Sequence, residues 1–165
     1  MQDCYKVIPP LVTSANPINA YQIRFKTPET LETSTLQGSC NTTSVGNSNF
    51  LTGISFPENY TKIKFTTATE EQEFDYNFAP DTWYTLLAEM GWFDGNWRTQ
   101  IKINNEILGI VQSRFFNSTD FLTCISCLQI GCSNNGSLFN GAVDLTQTGF
   151  FNAENNFEMY FAEKT

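Results

Sequence analysis

The chain has 165 residues and a formal net charge of −8, a length that suits one domain with a proper core. Apolar residues make up 41% and charged residues 16%, which excludes a disordered segment and a coiled coil. The acidic balance, with no Lys/Arg cluster to offset it, excludes nucleic acid and disfavours anionic membrane surfaces.

Histidine is absent. With it go the commonest general base, the commonest transition-metal ligand and the usual pH switch. Zinc would be left with Cys and carboxylate alone, a poor donor set. Phenylalanine occurs 15 times, and large aromatics fit a pleated, half-buried surface better than a helix bundle.

Met1-Gln-Asp-Cys-Tyr-Lys6 lacks the charged-then-apolar pattern of a signal peptide. No apolar run approaches the roughly 20 residues of a membrane span. The expectation is a protein made in a reducing cytoplasm, with no membrane insertion. Five cysteines, an odd number, then fit free thiols better than a disulfide framework. Residues 1–18 read as an N-terminal extension or edge segment of a single domain covering 1–165.

From there period-2 alternation recurs, the mark of half-buried antiparallel strands. Tyr21, Ile23 and Phe25 oppose Gln22, Arg24 and Lys26. Ile63 and Phe65 oppose Lys62 and Lys64, and Phe74, Tyr76 and Phe78 oppose Glu73, Asp75 and Asn77. Residues 83–90 and 121–130 are more apolar and are expected as central strands buried on both faces. Ile101 and Ile103 lead into Asn104-Asn105, a type I′ turn signal, and residues 106–111 return as the second arm of a hairpin. Residues 138–145 and 157–161 supply the last strands. Asn-, Ser-, Thr- and Gly-rich segments separate these runs. Many short strands with closely spaced turns predict an all-β fold, a two-sheet antiparallel β-sandwich of the jelly-roll type.

Two stretches carry a family likeness. Ala79-Pro-Asp-Thr-Trp-Tyr-Thr-Leu-Leu-Ala-Glu-Met90, followed by Thr99-Gln-Ile-Lys-Ile-Asn-Asn-Glu-Ile-Leu108, resembles the "-TWY-" strand, loop and turn-ended strand of concanavalin A-like (laminin G-like) jelly rolls. Here the turn is Asn104-Asn105 where Asn-Gly is commoner. Residues 128–145 resemble the family's "-IG- … -F-G-I-D-" segment, and the likeness implies that Gly141 lets two sheets approach closely. It covers roughly the second half of the chain. It also implies a setting among phage and bacterial surface proteins, but the fold hosts lectins, adhesion modules, glucanases and spacers alike.

The most suggestive local feature is Gly91-Trp-Phe-Asp-Gly-Asn-Trp97. Trp92, Phe93 and Trp97 sit in a predicted hairpin connection, where flat rings can stack on sugar faces. Asp94 and Asn96 would orient hydroxyl groups. The plainer alternative is that both Trp residues fold back to cap the sandwich. Trp83, opening an apolar strand, is expected in the core.

Glu71-x-Glu73-x-Asp75 sets three carboxylates on one strand face. Their spacing is too long for a retaining glycosidase pair, and Phe74, Tyr76 and Phe78 alternate with them, so they read as a solvated face. Calcium is the cofactor the resemblance allows, with Asp94, Asn96, Asp120 and Asp144 as weak candidate ligands. Cys124-x-x-Cys127-x4-Cys132 resembles a metal motif, but on a strand its thiols point to both faces, so buried free thiols are expected. Asn-x-Ser/Thr sequons at Asn41, Asn59, Asn117 and Asn135 are expected bare.

The expected function is therefore a non-catalytic carbohydrate-binding or adhesion module. The resemblance suggests a bacteriophage virion protein, on a tail or head, recognising a bacterial cell-surface glycan. A structural decoration or spacer role, with other virion proteins or further copies of the chain as partners, is the alternative. A glycoside hydrolase of the same fold is the remaining one.

Overall fold

The computed structural model describes residues 5–7, 18–39, 51–67, 71–93, 95–111, 128–132, 138–152, 157–158 and 161–164. Among these, the strands are β1 (Tyr5–Val7), β2 (Ile18–Lys26), β3 (Ser34–Ser39), β4 (Leu51–Phe56), β5 (Lys62–Thr67), β6 (Glu71–Asp75) and β7 (Trp83–Phe93). They continue as β8 (Asn96–Ile103), β9 (Glu106–Val111), β10 (Leu128–Ile130), β11 (Ala142–Val143), β12 (Gly149–Asn152), β13 (Phe157–Glu158) and β14 (Phe161–Lys164). Two short 3₁₀ turns, Glu58–Tyr60 and Leu145–Gln147, are the described helical elements.

The strands form two antiparallel sheets. The first runs β14-β1-β10-β3-β4-β5-β6, and the second β13-β12-β2-β7-β8-β9, with β11 also paired to β2. The expected all-β sandwich is therefore present. Tyr5–Val7 stands between β14 and β10, inside the first sheet.

Alternation explains what each strand buries. Ile23 and Phe25 of β2, Tyr84 and Leu86 of β7, and Ile101 and Ile103 of β8 turn inward. Ile54 and Phe56 of β4 and Ile63 and Phe65 of β5 meet them from the first sheet. Phe25 sits where the sheets meet, its ring centroid 5.4 Å from Phe56, 5.8 Å from Tyr84 and 6.1 Å from both Phe78 and Phe139. Such offset and edge contacts add to the apolar burial. On the flank where β6 and β9 come together, Gln72 Nε2 donates to the Ile110 carbonyl at 3.4 Å.

The turn at Asn104-Asn105 is as expected: both residues have positive φ, 51° and 66°, the type I′ signature. Asn104 also ties the hairpin to β7, its Oδ1 accepting from the Thr85 N–H at 2.9 Å.

Several expectations are corrected. Residues 83–90 are not buried on both faces: Tyr84, Leu86 and Ala88 are buried, while Thr85, Leu87 and Glu89 are half-exposed and Trp83 is 38% exposed. A strand covered on one face only buries every second residue. Of residues 121–130, only β10 falls within the described residues. Residues 157–161 do not form one strand, since β13 joins the second sheet and β14 the first.

Gly141 does mark a close approach, but to β2 within its own sheet: a side-chain carbon there would overlap the Lys26 carbonyl oxygen and the Phe139 ring. Cys132 is not a free thiol. It is disulfide-bonded, and its partner cysteine lies outside the described residues, as do Cys124 and Cys127. An odd cysteine count leaves at least one thiol over but says nothing against a pair, which depends on spatial proximity.

Candidate functional site

Strands β2 and β7 pair in register, with Lys26 opposite Trp83, Arg24 opposite Thr85 and Gln22 opposite Leu87. Their inward partners fill the core, so this second set faces outward. Trp83 is the large aromatic left exposed among the described residues.

Arg24 is the diagonal neighbour of Trp83 across the ladder. Its guanidinium carbon lies 5.4 Å from the Trp83 ring centroid, within cation–π range. The Arg24 Nη1 donates to Thr85 Oγ1 at 2.8 Å. A guanidinium has five N–H donors, so most of this fork is left without an acceptor among the described residues.

The neighbouring charges are paired. Lys26 Nζ meets Asp81 at 2.9 Å. Lys102 meets Glu89 Oε1 at 3.0 Å, an ion pair that lacks hydrogen-bond geometry. Asp144 caps the second 3₁₀ turn: its Oδ1 accepts from the Thr146 N–H at 3.0 Å and the Thr146 hydroxyl at 2.6 Å, and its Oδ2 from Gln147 Nε2 at 3.0 Å. The Thr146 hydroxyl bond is the main reason its carboxyl is held below the usual carboxylate range, with a smaller contribution from the Arg24 charge. Gln22 Nε2 donates to the Gln147 carbonyl at 2.8 Å, and the Arg24 N–H to Thr148 Oγ1 at 3.1 Å. Arg24 has no carboxylate in ion-pair contact among the described residues. The result is a well-braced polar face with one exposed indole and a guanidinium that has no ion-pair partner among the described residues.

The hairpin singled out from the sequence is the other end of β7. Trp92 stands opposite Trp97, and Phe93 opposite Asn96, with Gly95 at φ 77° in the turn. The side chains of Trp92, Phe93, Asn96 and Trp97, and the whole of Asp94, lie outside the described residues. β7 has 11 residues; at about 3.3 Å per residue its two ends are about 30 Å apart. The hairpin and the Trp83 face are thus separate places.

Asp120 also lies outside the described residues. Asp144, the described member of the candidate calcium set, has both oxygens engaged in its cap. Among the described residues no group of three or more Cys, Asp or Glu converges on a metal position. Glu71, Glu73 and Asp75 are exposed on β6 and face Lys62 and Lys64 across the ladder, with ion-pair distances of 3.5 to 3.9 Å. They form the solvated face expected of them. A cavity of about 210 Å³ lies between Tyr5, Ile130, Gly131 and Phe139 on one side and Gly141 to Val143 on the other. Among the described residues its lining holds no carboxylate or amine.

Sequence reasoning missed the Arg24–Trp83 pair by assigning Trp83 to the core. A signal was available: Trp83 shares its parity with Thr85 and Glu89, and a glutamate marks the wet side of a half-covered strand.

No family model and no curated protein matches the chain by sequence. Solved structures do match in shape. A Bacteroides ovatus protein, provisionally designated carbohydrate-binding, superposes with a TM-score of 0.57 at 11% identity, covering 99% of this chain and 48% of that one. The heptameric SAP-like pentraxin of Limulus polyphemus gives 0.52 at 10% identity, covering 91% of this chain and 69% of that one. This chain thus spans about half the length of the Bacteroides protein. At such identities the likeness is one of fold: the chain has the two-sheet jelly-roll sandwich that both proteins contain.

Proposed function

We propose that the protein is a non-catalytic glycan-binding module whose contact surface is the outer face of β2 and β7, centred on Trp83. The observation that carries this reading is the exposed Trp83 ring with the Arg24 guanidinium over it and Thr85 bonded to that guanidinium. A flat indole covers the C–H face of a pyranose, gaining apolar burial without disturbing the sugar's hydroxyls. Arg24 and Thr85 stand beside it to meet those hydroxyls.

The shared sandwich with the Bacteroides ovatus protein supports the reading at the level of architecture. The absence of histidine from the sequence, and the engagement of Asp81, Glu89 and Asp144 in ion pairs or a cap, favour binding over bond cleavage. Single sites of this kind are weak, so multiple copies on a surface would supply avidity.

The test is a glycan array followed by titration of the hits against wild type, Trp83→Ala and the double variant Trp92→Ala/Trp97→Ala. The expected result is at least a tenfold loss for Trp83→Ala, about 1.4 kcal/mol, with the melting temperature nearly unchanged and the double variant still binding. Loss in the double variant alone would move the contact surface to the hairpin and overturn this assignment. No glycan bound at high micromolar protein, or a Trp83 that is covered in a homo-oligomer by sedimentation and fluorescence quenching, would overturn the function.

A further inference from the structure

On the Arg24–Trp83 face, Arg24 has no carboxylate in ion-pair contact among the described residues. Arg24, Lys26 and Lys102 all point out of the second sheet. Lys26 and Lys102 have carboxylate partners in Asp81 and Glu89. Arg24 has none among the described residues; its contacts are the Thr85 hydroxyl and the Trp83 ring. Asp144, whose backbone N–H donates to the Arg24 carbonyl at 2.9 Å and whose carboxyl feels the Arg24 charge, directs its carboxylate oxygens to Thr146 and Gln147. In a chain where carboxylates outnumber cations by 17 to 9, a guanidinium with no ion-pair contact among the described residues is unusual placement.

We infer that the ligand is an acidic glycan whose carboxylate is taken by the free fork of Arg24 while the adjoining sugar ring stacks on Trp83. This rests on the glycan-binding reading above and names the class of sugar. The chemistry is specific in three respects. A planar guanidinium matches a planar carboxylate with two parallel N–H···O bonds. Arg24 is already oriented by the Thr85 hydroxyl and the indole face, so little side-chain freedom is left to lose on binding. Arg24 is half-buried, where a charge pair is screened less than in open water. The ion pairs at Lys26 and Lys102 and the capped Asp144 keep neighbouring acids from competing for the fork.

The experiment uses an array holding neutral, uronic-acid-terminated, nonulosonic-acid-terminated and sulfated glycans, followed by titration of each acidic hit beside its carboxyl-reduced form. Acidic hits are expected to bind at least tenfold more tightly than their reduced forms. Arg24→Gln should erase that difference while leaving residual binding to the reduced sugar through Trp83, and Arg24→Lys should restore only part of it. Melting curves of both variants establish that they are folded. Reduced and acidic forms binding equally, sulfated glycans preferred over carboxylated ones, or an acid preference that survives Arg24→Gln would each overturn the assignment while leaving glycan binding standing. Binding to no glycan of any class would instead overturn the reading beneath it.

Discussion

Gly141 stands directly against the backbone carbonyl of Lys26, with no room between them for a side-chain carbon. The next residue, Ala142, is the ladder partner of Lys26, so the glycine is what lets the short β11 close onto β2. The neighbouring half of that contact is the Phe139 ring, which a side chain at 141 would also strike. Gly141→Ala is expected to destabilise the fold by about 2 kcal/mol or more, because both obstacles are fixed, one of them backbone. Gly109→Ala provides the comparison. There a side-chain carbon meets the edge of the Phe74 ring at 2.5 Å, and Phe74 is half-buried at the flank of the sandwich, where it can turn aside. A cost of about 1 kcal/mol is expected. Urea unfolding of both variants gives the order, and Gly109→Ala as the more damaging change would contradict it.

Trp83 and Phe25 should behave oppositely on truncation. Trp83 is 38% exposed and carries the Arg24 guanidinium over its ring, so Trp83→Ala is expected to cost about 1 kcal/mol of stability. Phe25 is fully buried against four other aromatic rings, and Phe25→Ala is expected to cost about 3–5 kcal/mol. Denaturant midpoints measure both. A large stability loss at Trp83 would mean that the indole is structural and would weaken its role as a contact surface.

Gln37 is a polar residue sealed in the core. A register shift between Thr35 and Gln37 places it opposite Ile54 on one side and Ile130 on the other, both core residues. Its amide nitrogen and oxygen are buried and neither has a hydrogen-bond partner among the described residues. An unsatisfied buried polar group costs about 1–3 kcal/mol. Gln37→Met, of similar length and apolar, is therefore expected to raise stability by about 1 kcal/mol, read from thermal and urea unfolding. A loss of the same size would show that the amide is satisfied in solution.

Stability should fall in strong alkali. Burial pushes the Tyr60 hydroxyl up to about 12 from an ordinary value of 10, against the opposing effect of its hydrogen bond with Ser34. Tyr21, buried too, is raised well above 10 by the same desolvation. Below pH 10 the hydroxyls are protonated in both the folded and unfolded chain, and the contribution is constant. Between pH 10 and 12 the unfolded chain releases these protons while the folded protein keeps them, so rising pH favours unfolding, by up to about 1.4 kcal/mol per pH unit per group. Urea titrations from pH 9 to 12 should show this slope, shallower in Tyr60→Phe. The same variant should be weaker by about 1 kcal/mol at neutral pH, since it leaves the Ser34 hydroxyl without its buried partner. A flat profile up to pH 12 would contradict the assignment.

The Cys132 disulfide should contribute to stability through the unfolded chain it constrains, by about 2–4 kcal/mol. Dithiothreitol is expected to lower the melting temperature of the wild type and to leave Cys132→Ser unchanged. Peptide mapping without reductant identifies the partner. A wild type whose melting temperature ignores reductant, and whose map shows only free thiols, would refute the bond.

Alternation along Tyr21–Lys26, Ile63–Phe65 and Phe74–Phe78, with the turn chemistry of Asn104-Asn105, was enough by itself to determine an antiparallel sandwich. Both are local rules: the pleat sends successive side chains to opposite faces, and a type I′ turn needs two residues that tolerate positive φ. The same alternation put Glu71, Glu73 and Asp75 on the solvated face, where the structure has them. Which strands become neighbours was not local, and neither was the division of residues 157–164 between two sheets. Only the tertiary structure decided that Trp83 faces water, because apolar character does not say which side of a strand another layer will cover. It alone brought Arg24 diagonally across from Trp83 while giving Lys26, Lys102 and Asp144 other partners. The Arg24–Trp83 and Lys26–Asp81 contacts join residues more than fifty positions apart in the chain, and such distances exist only once the sheets have formed.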